Sequence, residues 1–466
     1  MTKSAHLIGI GGTGLSAIAR VLLESGWRVS GSDRQASPLA QALEQAGARV
    51  FIGHAASNLG AVDLVIRSSA ISDDNPEVQA ALAAGIPVLK RADFLGNLMA
   101  ERSGIAVAGS HGKTTTTAMI AWILTALGQD PSFIIGGVAH DLGTNARAGK
   151  GSSFVIEADE YDRMFLGLRP RIAVVLNVEH DHPDCYPTAQ DFYQAFLAFT
   201  RCIQPGGTLI ACADDPGAAS LAGEVANSQK ADLKVLRYGL DAPMCDYRAR
   251  GLAAQPQGTR FEAVYQDQAL AQVALQVPGR HNVSNALAAL AVVHQSGLDA
   301  SAAAEALGRF HGSGRRFDLR GEAAGVTVID DYGHHPTEIR STLKAARQRY
   351  PGQAVWAVWQ PHTYSRVKML FNEFSQAFEQ ADHVVVTEVY ASREIAAIGS
   401  FSAQEILPVM RHPDAHFAAT LEQAVELLLE RLHSGDVLVV FSAGDADQIS
   451  AQVLAQLAGH NEMKIG

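Results

Sequence analysis

Only four cysteines occur in the 466 residues, Cys185, Cys202, Cys212 and Cys245, and no two of them form a C-x-x-C pair. A disulfide framework and a cysteine-built metal knuckle are thereby excluded, and a reducing compartment fits the scatter. Long apolar runs are missing as well. Those present, such as Ile172 to Leu176 and Val437 to Phe441, are strand-sized, far short of the ~20 residues that a membrane-crossing helix needs. Positive charge is in deficit, with 37 Lys and Arg against 48 Asp and Glu and a formal net charge of -11. With no long basic run, general binding of nucleic acid is excluded and any phosphate recognition must be local. The chain enters an apolar strand at once, without a charged-then-apolar leader, so a cytoplasmic protein with no membrane partner is expected. Neither an internal repeat nor a low-complexity tract is visible.

What is present is apolar material in quantity: hydrophobic residues make up 47% of the chain, and its length suggests about three domains. Short Val/Ile-rich runs alternate with Ala/Leu-rich helical stretches throughout, which predicts an α/β fold of parallel sheets covered by helices. The first unit, 1–102, reads as strands at 5–10, 27–31, 49–52 and 63–66 with helices at 15–25, 38–46 and 76–84, a Rossmann-like arrangement. The second, 103–314, carries strands near 105, 153–157 and 172–176, a glycine-rich irregular segment at 136–151, and an alternating stretch from about 231 to 277 that predicts an antiparallel edge on a mixed sheet. It ends at the flexible junction Gly312-Ser313-Gly314. The third, 315–466, is again Rossmann-like, with strands at 326–330, 354–359 and 437–441.

Residues 105–117 run from an apolar strand through Gly109-Ser110-His111-Gly112 into a helix opening with Lys113, Thr114 and Thr115. Glycines let backbone N–H groups approach phosphates, the helix N-terminus favours negative charge, Lys113 supplies a point cation, and the Thr114 hydroxyl can reach Mg2+. The motif is shorter than G-x-x-x-x-G-K-[ST], because position 107 is Val. It points to a P-loop-type central domain that uses ATP.

At the N-terminus Gly9-Ile10-Gly11-Gly12-Thr13-Gly14 satisfies G-x-G-x-x-G between a strand and a helix, and Asp33 closes the next strand. The glycines read a diphosphate and Asp33 a hydroxyl, so NAD and other nucleotide diphosphates, UDP-sugars included, remain open. Two acidic clusters follow strands of the central unit: Glu157-Ala158-Asp159-Glu160, and Glu179-His180-Asp181-His182-Pro183-Asp184. Strand carboxyl ends face the ligand crevice, so both are candidate Mg2+ sites beside the phosphate loop; His180-x-His182 offers zinc as an alternative, without cysteine partners nearby. In the third unit Asp330-Asp331-Tyr332-Gly333-His334-His335 and Gln360-Pro361-His362-Thr363-Tyr364-Ser365-Arg366 follow consecutive strands and mark a further polar site,.

These segments, together with Gly279-Arg280-His281-Asn282-Val283-Ser284-Asn285-Ala286 and Gly314-Arg315-Arg316-Phe317, occur in an order that resembles the Mur ligase family, ATP-dependent enzymes that add amino acids to UDP-muramate precursors of peptidoglycan. The resemblance spans all three units. The N-terminal glycine loop with Gln-Pro-His-x-Tyr-Ser-Arg is similar to the branch that joins L-alanine to UDP-N-acetylmuramate. That implies ATP and Mg2+ as cofactors, UDP-N-acetylmuramate and L-alanine as partners, no nucleic acid, and a monomer or weak homodimer active in cell wall synthesis. Residue by residue, the resemblance implies that Gly109 to Thr115 hold the ATP phosphates, with Lys113 catalytic, and that Thr114, Glu157 and His182 hold Mg2+. It implies nucleotide contacts from His281 and Asn282 and, across the domain junction, from Arg316 and Asp331. Gly11, Gly12, Thr13, Gly14, Asp33 and Ser69 would hold the UDP-sugar, and Tyr332, His334 and Arg366 the incoming alanine.

Two positions depart from that pattern. Thr363 stands where some members carry arginine, which shifts recognition of the amino acid carboxylate to Arg366. Tyr161 stands where serine is frequent, a departure that resembles the related ligase that reattaches a recycled tripeptide to UDP-N-acetylmuramate. The implied chemistry is phosphorylation of the lactyl carboxylate followed by attack of the alanine amine, with His182 or His334 as the base and closure hinging at 312–314. A tripeptide as the amine, an NAD-dependent dehydrogenase built on the first glycine loop, and a nucleotide sensor without turnover are the alternatives.

Overall fold

The computed structural model describes residues 2–228 and 232–465. Residue 231, where the alternating stretch was placed to begin, and residues 1 and 466 at the edges of the outer units lie outside the described residues. Three sheets stack helices on their faces. The N-terminal sheet is wholly parallel, in the order Arg49–Ile52, Arg28–Asp33, Ser4–Ile8, Leu64–Arg67, Val88–Lys90. The order in which strands are added reverses at Ser4–Ile8, and the glycine loop leaves the carboxyl end of that strand, where α/β sheets open a crevice.

The central sheet has ten strands. Its parallel middle is Lys234–Gly239, Thr208–Cys212, Ile172–Val175, Ser103–Ala108, Ser153–Glu157 and Ser132–Ala139. Tyr247–Gln255, Gly258–Tyr265 and Gln268–Leu275 add an antiparallel meander on one side, which is the edge expected from the alternation. On the other side the structure corrects the sequence reading. The glycine-rich segment 136–151 is not irregular throughout: Ser132–Ala139 pairs antiparallel with Thr144–Arg147, with a register break between Ile134 and Ala139. Gly136 weakens the strand signal, yet a Cβ there would lie 2.1 Å from Glu157 Oε2, so the absence of a side chain makes room for that carboxylate.

The C-terminal sheet runs Asp318–Ala323, Val326–Asp331, Val437–Phe441, Val355–Trp359, His383–Thr387, Ala415–Ala418, with only the first strand antiparallel. Helices Lys113–Ala126 and Arg280–Gln295 pack against each other, and the second is buried along most of its length, as expected of a helix that is apolar on nearly every face. Trp122 Nε1 donates to the Ala306 carbonyl at 2.8 Å, which ties helix Ala300–Leu307 to the same layer.

The Gly312-Ser313-Gly314 junction is stitched to the sheet edge. His140 N donates to Gly312 O at 3.1 Å and Gly314 N to Val138 O at 2.8 Å, while Ser313 is buried. A segment with no sequence signal in our reading, helix Arg91–Ala100, fastens the N-terminal unit to the central one. It approaches the 161–167 turns so closely that a Cβ on Gly96 would sit 2.1 Å from the Gly167 carbonyl oxygen. Gly96→Ala is therefore expected to destabilise the chain by about 1–3 kcal/mol through forced separation of these elements, read as a lower denaturant midpoint; an unchanged midpoint would show that the contact is not tight.

Candidate active site

The phosphate loop is built by local rules. Strand Ser103–Ala108 ends in Gly109, and Gly112, at φ 82°, caps helix Lys113–Ala126 in a left-handed conformation. A side chain at 112 would be strained, and its Cβ would lie 2.8 Å from Asn285 Oδ1,. His111 N donates to Asn177 Oδ1 at 2.8 Å, which holds the loop against the next strand end.

Lys113 points back into this loop. Its Nζ donates to Gly109 O at 2.6 Å, Ser110 O at 3.3 Å and Glu160 Oε1 at 2.9 Å. Burial pulls the ammonium pKa down, but Glu160, Asp159 and Glu157 outweigh it and hold the group above its ordinary value, firmly charged. Glu157 is pushed up by burial, against Thr114 and Lys113, which favour its anion. Glu157 Oε1 and Glu160 Oε2 are buried without a hydrogen-bond partner. His182 Nε2 lies 3.6 Å from Glu160 Oε1. Oxygen-rich, negatively charged and incompletely satisfied, the set Thr114, Glu157 and His182, with Glu160 beside it, fits a hard divalent cation. His180 turns away: its Nε2 meets the Tyr186 carbonyl at 2.8 Å, so the His-x-His pair does not converge as zinc would require.

A cavity of about 160 Å3 opens between the central and C-terminal sheets. Among its lining residues are Thr115, His281, Asn282, Arg316 and Asp331, so the expected nucleotide contacts from both sides of the junction converge there. Arg316 Nη1 donates to Glu338 Oε1 at 3.0 Å, and the Asp331 carboxylate, raised by burial, accepts from the backbone of Phe317 at 2.8 Å and Gly333 at 2.7 Å. His281 is lowered to about 4 by burial and stays neutral.

Glu179, expected within an acidic cluster suited to Mg2+, and Glu338, which was given no role from the sequence, brace the mouth of this cavity. His111 Nε2 lies 3.0 Å from Glu179 Oε2 and its Nδ1 3.6 Å from Glu338 Oε1. Burial opposes the cation, but the two carboxylates raise His111 to about 9. The His335 ring lies tilted beside it at 4.6 Å and is lowered to about 4 by burial and that neighbouring charge. One ligand atom each from His111, Glu179 and His335 falls within 4.8 Å of the others. Thr337 Oγ1 donates to Glu179 Oε1 at 2.8 Å, so this group also works as a hydrogen-bonded brace.

The third set lies deeper in the seam. Arg366 Nε donates to Asp181 Oδ1 at 2.7 Å, with the two side chains 2% and 1% exposed. Its Nη1 donates to His362 O at 3.1 Å and faces His362 Nδ1 at 3.0 Å, and Nη2 reaches His182 Nδ1 at 3.5 Å. Every nitrogen of the guanidinium is thus committed to protein. His334 Nε2 lies 3.7 Å from Asp181 Oδ2, and its ring stands edge-on to Tyr332 at 5.6 Å. Tyr332 in turn carries the Arg315 and Arg316 guanidinium groups within 5.1 and 5.2 Å of its ring.

The first glycine loop lies on the far side of the acidic cluster. Gly11 N donates to Asp33 Oδ2 at 2.9 Å, Gly12 caps helix Thr13–Glu24, and Ser69 lies in the turn after Leu64–Arg67. Arg91 packs where a Gly14 Cβ would be, and its Nη2 donates to Asp159 Oδ2 at 3.1 Å. Arg91 thus links this loop to the acidic end of strand Ser153–Glu157.

Sequence comparison now adds to this geometry. The profile of the Mur ligase family catalytic domain matches residues 4–103, that of the Mur ligase middle domain 107–293, and that of the Mur ligase glutamate ligase domain 315–444. The UDP-N-acetylmuramate–L-alanine ligase of Pelotomaculum thermopropionicum is 41% identical and covers 100% of this chain and 99% of its own. The chain belongs to the Mur ligase family. The Desulforamulus reducens protein of the same name is 40% identical over 98% of both chains. Among solved Mur ligase structures, the UDP-N-acetylmuramate-alanine ligase of Thermotoga maritima superposes with a TM-score of 0.80 at 28% identity, and the murein peptide ligase of Psychrobacter arcticus with 0.73 at 28%; each covers 98% of this chain and 99% of its own. Among the described residues no helix is long and apolar enough to cross a membrane.

The His111 pairing carries a pH signature. Its folded value of about 9 lies above the ordinary 6.5, so its contribution to stability is complete below pH 6.5 and is lost as the pH rises toward 9. His281 and His335, both lowered, act only on the acid side of that window. The denaturant midpoint is expected to fall between pH 6.5 and 9, and to fall less in Glu179→Gln; equal slopes in the two proteins would remove this pair from the account.

Proposed function

We propose that the chain joins L-alanine to the lactyl carboxylate of UDP-N-acetylmuramate at the expense of ATP, releasing ADP and phosphate, as a cytoplasmic step of peptidoglycan synthesis. The single observation that carries this reading is the convergence on one seam of a charged Lys113 in a phosphate loop, two incompletely satisfied carboxylates, and a polar set on the C-terminal sheet. The named full-length relatives support the choice of substrates. Units with edges at residues 102 and 314 are part of this reading, as is a monomer or weak homodimer without nucleic acid or membrane partners.

A carboxylate resists amine attack, because an oxide would have to leave an already anionic group, so it is first phosphorylated. In this reading the Gly109 to Thr115 loop wraps the triphosphate, with the backbone N–H groups at the start of helix Lys113–Ala126 facing the phosphates, and Lys113 exchanges Glu160 and loop carbonyls for phosphate oxygens,. Thr114, Glu157 and His182 would hold Mg2+, which would supply Lewis-acid neutralisation of the phosphate charge. The remaining work is positioning and preorganised charge. Gly11 to Gly14, Asp33 and Ser69 place the UDP-sugar so that its acid reaches the γ-phosphate beyond Arg91 and Asp159.

The alanine amine must lose a proton before it attacks. His334 is lowered by burial and by Arg366, against the pull of Glu338 and Asp181, so its ring is neutral near pH 7. Nδ1 lies 3.1 Å from the Tyr332 carbonyl, which can only accept, so Nδ1 carries the hydrogen and Nε2 keeps its lone pair. His334 Nε2 is thus the proposed base, with the domain seam excluding water from the acyl phosphate.

ADP formation that requires both UDP-N-acetylmuramate and L-alanine tests the reading. A tripeptide in place of alanine, or a nicotinamide absorbance change, would redirect it. Lys113→Ala is expected to lower turnover by roughly 100-fold or more with the fold intact by circular dichroism; near-normal turnover would end its proposed role.

A further inference from the structure

The zinc-type donor set that His180 and His182 do not make is assembled elsewhere, between the phosphate loop and the C-terminal sheet. His111 comes from the loop, Glu179 from the segment after strand Ile172–Val175, and His335 from the cap of helix Pro336–Arg349. His111 Nε2 lies 3.0 Å from Glu179 Oε2 and His335 Nδ1 3.9 Å from Glu179 Oε1, and one donor atom from each of the three falls within 4.8 Å of the others. Tetrahedral ligation at about 2.0–2.2 Å would set such atoms roughly 3.4 Å apart, so the side chains need to draw together by only about 1 Å.

The hydrogen positions suit ligation. His335 Nδ1 accepts a long bond, 3.3 Å, from Thr337 N, so that nitrogen carries the lone pair and the hydrogen sits on Nε2, which is buried without a hydrogen-bond partner among the described residues,. With His111 ligating through Nε2, its Nδ1–H faces Glu338 Oε1 at 3.6 Å, the outer carboxylate that orients a ligating imidazole in many metal sites. Thr337 Oγ1 orients Glu179 from the other side at 2.8 Å. The two imidazoles are largely buried, whereas Glu179 is 39% exposed, so the group opens to solvent through its carboxylate and has room for a water ligand there. Two imidazoles and one carboxylate suit Zn2+ and its neighbours, while Mg2+ prefers oxygen donors and water. An entering ion displaces the His111 proton to solvent, so the charge of the group rises by one. Affinity here comes from nitrogens held ready rather than from an excess of negative charge.

We propose that His111, Glu179 and His335 form a second cation site, separate from the one proposed for Mg2+, which takes a borderline transition-metal dication such as Zn2+ and clamps the C-terminal unit to the phosphate loop. Two of the ligands belong to the central unit and one to the C-terminal unit, so the ion bridges the seam without nucleotide. Binding there does not depend on which amine the enzyme uses.

The probe is Co2+, titrated into the full chain without nucleotide, because its visible absorption reports coordination. Equimolar Co2+ is expected to give the visible bands of an ion with low coordination number, without the near-ultraviolet charge-transfer band that a cysteine thiolate would add. Equimolar Zn2+ should erase these bands, and a large excess of Mg2+ should not. His335→Ala, His111→Gln and Glu179→Ala are each expected to remove them, and Glu338→Gln to weaken binding by about 10-fold or more. Glu157→Gln and His182→Ala, which strip the site proposed for Mg2+, should leave them in place. Absence of the bands from wild type, thiolate character in them, their survival in His335→Ala, or their loss in His182→Ala would each overturn the proposal. His335 also caps a helix, so if His335→Ala proves unfolded by circular dichroism, His111→Gln decides by the same criterion.

Discussion

A guanidinium buried between two domains has to be paired, and Asp181 with Arg366 is that pair here. Removing one partner of such a bridge leaves an uncompensated buried charge, at a cost of about 3–5 kcal/mol, so the relative placement of the central and C-terminal sheets is set largely at this point. Asp181 also accepts from His182 N at 2.7 Å, and His182 sits at φ 55°, a left-handed conformation that costs of order 1 kcal/mol for a residue with a side chain. The bridge and that hydrogen bond sustain the turn, and the turn aims the imidazole at Glu160. The candidate metal site on one domain thus depends on an arginine from another.

Charge balance is the physical basis for proposing that nucleotide and cation enter this seam together. Around Lys113 stand Glu157, Asp159 and Glu160, more negative charge than one ammonium can offset. A triphosphate and an acceptor carboxylate would add to that excess. A divalent cation entering with the nucleotide would offset it, and the unpartnered oxygens of Glu157 and Glu160 are the atoms free to hold one. On the other side of the phosphate loop, His111 and Arg316 answer Glu179 and Glu338 with the opposite sign, so two cations meet two carboxylates and the brace there needs no added ion to be neutral.

Much of this was legible because phosphate loops and strand-end clusters are local. Gly109 to Thr115 declare their turn and helix within a few residues, and the parallel strands at 153–157 and 172–176 carry their acidic ends with them. His281, Asn282, Arg316 and Asp331 could be expected to share a site only through resemblance to a family, since nothing in their spacing says that two domains meet there. The pairing of Ser132–Ala139 with Thr144–Arg147 was hidden because Gly136 and Gly137 erase the alternation that marks a strand, although the close approach of Glu157 is what demands the first of them. Long-range pairs were invisible for a simpler reason. Asp181 and Arg366 are 185 residues apart, and Asp184 and Arg393 are 209 apart; no periodicity or motif couples positions at such distances.

Two arginines of the C-terminal unit meet the central unit at different depths. Arg366 is 2% exposed and its donors meet Asp181, His362 and His182, so it acts in a low-dielectric interior where an unpaired partner would be costly. Arg393 is 36% exposed and holds Asp184 through Nε and Nη2, a pair that water screens and that therefore contributes less. The seam is thus fixed from its buried end outward: the Asp181–Arg366 bridge sets the spacing of the two sheets, and the Arg393–Asp184 pair joins surfaces that this bridge has already aligned.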